Sequence, residues 1–230
     1  MLSLPPNPGY TVEVADVREV NLLGRADLTW WQQQLAGEGL TPFDANGSVS
    51  LLISATSLRW MGVRFNEWSL SVALCQTAGC ATSDAFYLAQ AFNSSGMFAL
   101  IERRMLHTPY DHARLRLTAE TPALMQVGSD PHMRFRAAMT TTRPPIGRHD
   151  ERWEGPLFLP SSADAKKRYL FYAQLTGPVD VYPWLASDTL QIDAQAGGIW
   201  HNLHDSGFTP TEWWLRAQGV HGKSRTLRWQ

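Results

Sequence analysis

Residues 85–117, AFYLAQAFNSSGMFALIERRMLHTPYDHARLRL, change their periodicity twice, and the fold turns on what happens at the second change. The middle part, 94–106, reads as a helix whose late Arg103 and Arg104 suit the negative end of its dipole. Pro109 then punctuates the chain, and beyond it Ala113, Leu115 and Leu117 alternate with polar residues as in a strand. His107, Tyr110, Asp111 and His112 crowd around that proline. Carried backwards, the alternation sets Asp111 on the apolar face and His112, Arg114 and Arg116 opposite. Asp111 would then be a partly buried carboxylate with His107 or Tyr110 as its partner, able to move a proton to or from a bound carbonyl compound. The plainer alternative is a polar corner in which Thr108, Asp111 and His112 satisfy backbone groups.

Outward from this stretch, period-two patterning between turn signals predicts strands at 48–60, 67–74, 113–120, 132–142, 167–175 and 188–194. A helix is predicted over 27–39, opened by a capping Asp27 and stopped near Gly37, with Leu28, Trp31 and Leu35 on one face. A third helix is predicted over 209–219, where Thr209 and Glu212 form a capping box around Pro210. No repeat, low-complexity tract or linker divides the chain, so residues 1–230 are expected to form a single domain. Mostly strands with inserted helices imply an α+β class with an antiparallel, curved or closed sheet.

Composition narrows the partners. Of 230 residues 44% are hydrophobic and 18% charged, and the net charge is −1, which argues against nucleic acid or an anionic membrane surface as a partner. No run of about 18 apolar residues could span a bilayer and the start of the chain lacks a signal-peptide pattern, so a cytoplasmic protein is expected. Cys75 and Cys80, flanking a turn, are too few for a disulfide framework and read as free thiols. His201 and His204 with Asp205 complete no recognised metal spacing, even with His107 and Asp111 added, so no metal is expected. The ten tryptophans are expected mainly to fill core. Lysine occurs only at 166, 167 and 223.

Several separated pieces resemble the acetoacetate decarboxylase-like superfamily. VNLLGRADLTWW (20–31) is similar to its early strand, arginine and helix, and VRFNEWSLSVAL (63–74) to the segment that places a glutamate just ahead of an extended strand. Residues 85–117 resemble the strand, helix and proline turn that carry the family's lysine pair, and AQLTGPVDVYP (173–183) its late strand with a Gly-Pro step. The resemblance implies a cone-shaped, mostly antiparallel β-barrel with a few inserted helices around a small-molecule cavity. It also implies a lysine that forms an imine with a keto acid. After Pro109, however, the lysine positions hold Tyr110 and Asp111, which cannot form an imine. Lys166 and Lys167 read as solvated loop-end charges, and Lys223, in an HGKSR turn, as a poor replacement. The family's second acidic position falls in SLLISA, with no carboxylate in reach.

Glu67 matches the family's glutamate. Trp68, Leu70, Val72 and Leu74 point one way and Glu67, Ser69, Ser71 and Ala73 the other, so a closed sheet would put a desolvated carboxyl among small polar residues. The alternative is a surface glutamate on a strand edge. Arg25 matches the early arginine and could hold a substrate carboxylate, or simply serve as a surface charge. Two functions remain open. One is a lyase-like enzyme that works on a small oxo-acid or related carbonyl metabolite by acid/base proton transfer, without a lysine Schiff base and without a cofactor, in small-metabolite or natural-product chemistry. In it Glu67, Asp111, Tyr110 and His112 would be catalytic, and Arg25 and His107 would bind substrate. The other is a non-catalytic small-molecule-binding barrel. Either could be a homo-oligomer.

Overall fold

The computed structural model describes residues 4–76, 80–161 and 167–229. Its strands in chain order are β1 (Tyr10–Asp27), β2 (Ser48–Trp60), β3 (Val63–Leu74), β4 (Ala85–Asn93), β5 (Tyr110–His112), β6 (Leu115–Thr118), β7 (Leu124–Val127), β8 (Phe135–Ala138), β9 (Gly147–Phe158), β10 (Arg168–Pro183), β11 (Thr189–Ile192), β12 (Thr209–Ser224) and β13 (Leu227–Trp229). The helices are α1 (Leu28–Leu35), α2 (Gly96–Met105) and α3 (Ile199–Asp205). The larger sheet runs β12-β1-β2-β3-β4-β9-β10-β13, and a further pairing of β12 with β10 closes it into a ring. Pairing is antiparallel except where β4 meets β5 and β9. A four-stranded sheet, β11-β8-β7-β6, lies apart from the ring.

The two faces of the ring have different jobs because side chains alternate along each strand. On β1, Val20, Leu22 and Ala26 join the core, as do Val49, Leu51, Ile53 and Ala55 of β2 and Trp68, Leu70, Val72 and Leu74 of β3. Residues of the smaller sheet, including Met125, Val127, Phe135 and Ala137, belong to the same core, together with Trp31 of α1 and Trp200 of α3. Trp200 stacks on Phe92, with centroids 5.5 Å apart, and packs against Trp68 at 5.1 Å. The opposite face of the same strands looks into the ring. Gly24 is needed where β1 passes β12, since a Cβ there would sit 2.4 Å from the Phe208 ring and 2.6 Å from the Thr209 carbonyl oxygen.

Local signals set the helices. The Asp27 carboxylate accepts a hydrogen bond from Trp30 N at 2.6 Å, capping α1 as expected, and a short 3₁₀ turn (Ala36–Glu38) extends it before Gly39 takes a left-handed φ of 67°. The helix predicted over 209–219 is not there. Those residues belong to β12, which pairs with β1 on one side and β10 on the other, and two ladders of main-chain bonds outweigh a local capping-box pattern. The free-thiol expectation is also corrected: Cys75 and Cys80 are joined by a disulfide, with Cα atoms 5.9 Å apart, inside the range a bridge requires. Lys166 lies outside the described residues.

Removing the central wedge of the core tests this packing. Trp200→Ala is expected to cost about 3–5 kcal/mol in urea denaturation, and Trp200→Phe clearly less. A cost below about 1 kcal/mol for Trp200→Ala would contradict the described core.

Candidate functional site

The inside of the ring is a cavity of about 580 Å³, a size that suits a small organic ligand. Glu67, Ser69, Ser71 and Ala73 all line it, so the face assigned to β3 from its alternation is the face the cavity uses. Trp60, Trp153 and Trp214 line it as well, while Trp31, Trp68, Trp200 and Trp213 are almost fully buried core. The tryptophans therefore divide between packing and cavity wall.

Glu67 is the centre of the polar lining. Its Oε1 accepts a hydrogen bond from Asn93 Nδ2 at 3.0 Å. Burial and the nearby Glu102 carboxylate push its pKa up to about 7, against smaller opposing effects of Lys223, Tyr110 and His221. Tyr110 is buried beside it, and desolvation together with the facing Glu67 raises the phenol well above its ordinary value. Tyr110 therefore stays a hydrogen-bond donor throughout the neutral range.

Two groups that the sequence reading passed over complete this cluster. Lys223 is not in a turn. It sits in β12, opposite Val12 on β1 and Ala173 on β10, and both its side chain and Glu102 line the cavity. The ammonium is 2.5 Å from Glu102 Oε2 and lies over the Phe171 ring at 4.6 Å and the Tyr110 ring at 5.8 Å. Gly222 misled the reading: in the strand its missing Cβ leaves room for the Tyr10 ring, which a Cβ would approach to 3.1 Å. Glu102 was legible, because it lies four residues after the buried Phe98 on α2 and so shares its inward face.

The corner after α2 now has a definite role. His107 takes a left-handed φ of 56°, as the residue past a helix end often does, and Thr108 N then bonds back to Glu102 O at 3.3 Å. The buried Thr108 hydroxyl donates to Glu102 Oε2 at 2.8 Å, fixing the carboxylate that holds Lys223. His107 itself is exposed and stacks on Tyr169 with centroids 4.4 Å apart. Tyr110 faces the cavity, but Asp111 is about half exposed, paired with Arg103 at 2.9 Å, and His112 is exposed too. The expectation of a buried Asp111 is thus corrected. The chain leaves the ring at Ala113 and Arg114 to start β6 in the other sheet, so the alternation of 115–117 cannot be carried back across that break. Arg25 is exposed, two residues beyond Leu23, the last cavity-lining residue of β1, whereas an arginine that does reach the lining is the exposed Arg225.

A second polar cluster faces the first. Glu19, 2% exposed, accepts hydrogen bonds from Arg216 and from Ser54 Oγ (2.9 Å), and His221 Nε2 is 3.7 Å away. Burial acts to raise its pKa, but His221, Arg216 and Ser54 together outweigh burial and hold the carboxyl down at about 2. The fully buried Arg216 also pairs with Glu151, whose pKa burial raises. Elsewhere, His201 and His204 bracket Asp205 at 3.2 and 2.8 Å on α3, and among the described residues no set of three or more acidic, histidine or cysteine side chains is arranged to hold a metal ion.

The closed ring with its helix-capped hollow is the acetoacetate decarboxylase-like fold. An acetoacetate decarboxylase structure superposes with a TM-score of 0.65 at 13% identity, covering 97% of this chain and 90% of that one. An acetoacetate decarboxylase-like enzyme from Sphingomonas wittichii RW1 gives 0.59 at 14% identity, covering 95% and 93%. The acetoacetate decarboxylase of Legionella pneumophila gives 0.63 at 12% identity, covering 98% and 92%. No family model matches the sequence, and no curated protein does either. No helix among the described residues is long and apolar enough to cross a membrane.

The raised pKa of Glu67 has a consequence for stability whose sign is fixed. The folded protein keeps this proton up to about pH 7, whereas the unfolded chain releases it near 4.5, so Glu67 costs nothing below pH 4.5 and erodes stability between there and 7. Glu67→Gln removes the erosion. Relative to wild type it is expected to gain up to about 3 kcal/mol in urea denaturation on going from pH 4.5 to 8, and parallel stability curves would contradict a raised pKa at Glu67.

Proposed function

We propose that this protein is an enzyme that transfers protons at the carbon next to a carbonyl group in a small oxo-acid or related ketone, without forming an imine. One observation carries the reading: Glu67 lines the cavity inside the ring, its pKa raised to about 7 by burial and Glu102, beside Tyr110 and the Lys223 ammonium. A carboxyl poised there can accept and return a proton at neutral pH with little cost in either direction. The Glu67 carboxylate takes the α-proton, and the C–H electron pair moves to form the enolate. Tyr110 O–H and the Lys223 ammonium hydrogen-bond to the enolate oxygen, and Glu67 then hands the proton back to carbon.

Lys223 Nζ is held by the Glu102 carboxylate at 2.5 Å and lies over the Tyr110 and Phe171 rings, a setting that supports its use as a fixed hydrogen-bond donor. Asp111, His112, His107 and Arg25 have no part in this scheme, because each is exposed. Loss or addition of water, or aldol-type bond changes next to the same enolate, would follow from the same groups.

The test is deuterium exchange at the α-carbon of a panel of ketones and oxo-acids, followed by NMR. Exchange is expected to rise with pH to a plateau above about 7, because the carboxylate is the working form, and to fall by at least about 100-fold in Glu67→Gln. Ligand binding without exchange would favour a non-catalytic barrel. Borohydride reduction in the presence of the same compounds is expected to leave the intact mass unchanged, and a covalent adduct on Lys223 would replace this mechanism with imine catalysis.

A further inference from the structure

The polar residues of the cavity stand in rows across neighbouring strands. Glu19 on β1 lies opposite Thr56 on β2, and Thr56 lies opposite Glu67 on β3. Two residues further along, Asn21 lies opposite Ser54, Ser54 opposite Ser69, and on the other flank Asn21 opposite Trp214. Asn21, Ser54, Ser69 and Trp214 all line the cavity. With strands about 4.8 Å apart and a two-residue offset of about 7 Å along them, the Asn21 position is about 12 Å from that of Glu67, two strands round the wall of the hollow.

This second row has hydrogen-bonding capacity that the described protein does not use. Asn21 is 4% exposed and its Oδ1 has no donor. Trp214 Nε1, on the residue paired with Asn21 across β1 and β12, has no acceptor. Buried polar atoms nearly always find partners, and Asn21 Oδ1 with Trp214 Nε1, on paired residues that line the cavity, mark a place for a ligand group. An unused acceptor next to an unused donor matches a hydroxyl, which both gives and takes a hydrogen bond. A second carboxylate does not match, because Glu19 stands ionised in the adjoining row and Arg216, the cation beside it, is already bonded to Glu19 and Glu151.

We propose that Asn21 and Trp214 form a distal subsite for a hydroxyl group, so that the substrate is a hydroxylated carbonyl compound whose carbonyl end lies at Glu67 and whose hydroxyl meets the wall at a position about 12 Å from that of Glu67. The subsite rests on the proposed function for which end of the substrate meets Glu67.

A matched pair of ketones tests it: 4-(4-hydroxyphenyl)butan-2-one and 4-phenylbutan-2-one, each titrated calorimetrically into the whole protein and each assayed for α-deuterium exchange. The wild type is expected to bind the hydroxylated ketone about tenfold more tightly, and the ratio of affinities is expected to fall to about one in Asn21→Leu. Trp214→Phe, which keeps the ring and removes the donor, is expected to lower the ratio at least about threefold and serves if Asn21→Leu does not fold. Equal affinities in the wild type, a preference that survives both substitutions, or no binding of either ketone would each overturn the subsite. Exchange separates the two ideas: equal affinities with exchange of both ketones leave the proton-transfer reading standing, whereas a tenfold preference without exchange leaves the subsite standing and removes the enzyme.

Discussion

Closure of the large sheet, through the pairing of β12 with both β1 and β10, is the constraint on which everything else depends. Had the sheet stayed open, Glu67 would be an ordinary solvated carboxyl at the edge of a polar face. Once the ring is closed, the side chains of its inner wall are largely withdrawn from bulk solvent, and a charge there is favoured only where a partner offsets the lost hydration. Two glutamates on neighbouring walls resolve that demand in opposite ways. Glu19, with Arg216, Ser54 and His221 around it, stays ionised down to about pH 2, and Glu67, with an amide and a phenol beside it and another carboxylate near, keeps its proton to about 7. The separation of these two values gives the cavity a fixed charge at one place and an exchangeable proton at another.

The strand that closes the ring also delivers the cation. Lys223 enters from β12, a different element from the proline turn where the resemblance to acetoacetate decarboxylases implied an amine, yet its ammonium lies beside that turn, over the Tyr110 ring. The turn instead contributes Tyr110 and, through Thr108, the orientation of Glu102. An amine held in place by a carboxylate and two aromatic rings is suited, in the proposed reaction, to hydrogen-bond an oxyanion that forms close to it. The reaction proposed above differs from imine chemistry in its electron sink: the carbonyl oxygen takes up the charge, with no protonated nitrogen in the substrate.

The sequence reading succeeded where period-two alternation runs unbroken and failed where elements meet. The inner face of β3 was legible in full because Trp68, Leu70, Val72 and Leu74 leave no doubt about which side is core. The ends of β2 and the cap at Asp27 followed from local chemistry alone. Asp111 was misplaced because its strand and the next belong to different sheets, a break that no local pattern announces. The segment 209–219 was misassigned because its capping residues favour a helix while its two flanking ladders, set by residues about 30 and about 190 positions away, require a strand. Lys223 was lost with it. Glu19 and Asn21 could have been found, since they alternate with the apolar Val20 and Leu22, but nothing local says that their face turns inward.

The claim that Glu67 is a desolvated carboxyl facing Tyr110 and Lys223 within one hollow is tested most directly by following its own titration with side-chain carboxyl carbon NMR, assigned by difference from Glu67→Gln. A midpoint close to 7, moving upward when Lys223 is replaced by methionine, is the result this arrangement requires. A midpoint near 4.5 that ignores Lys223→Met would mean a carboxylate in water, and would contradict it.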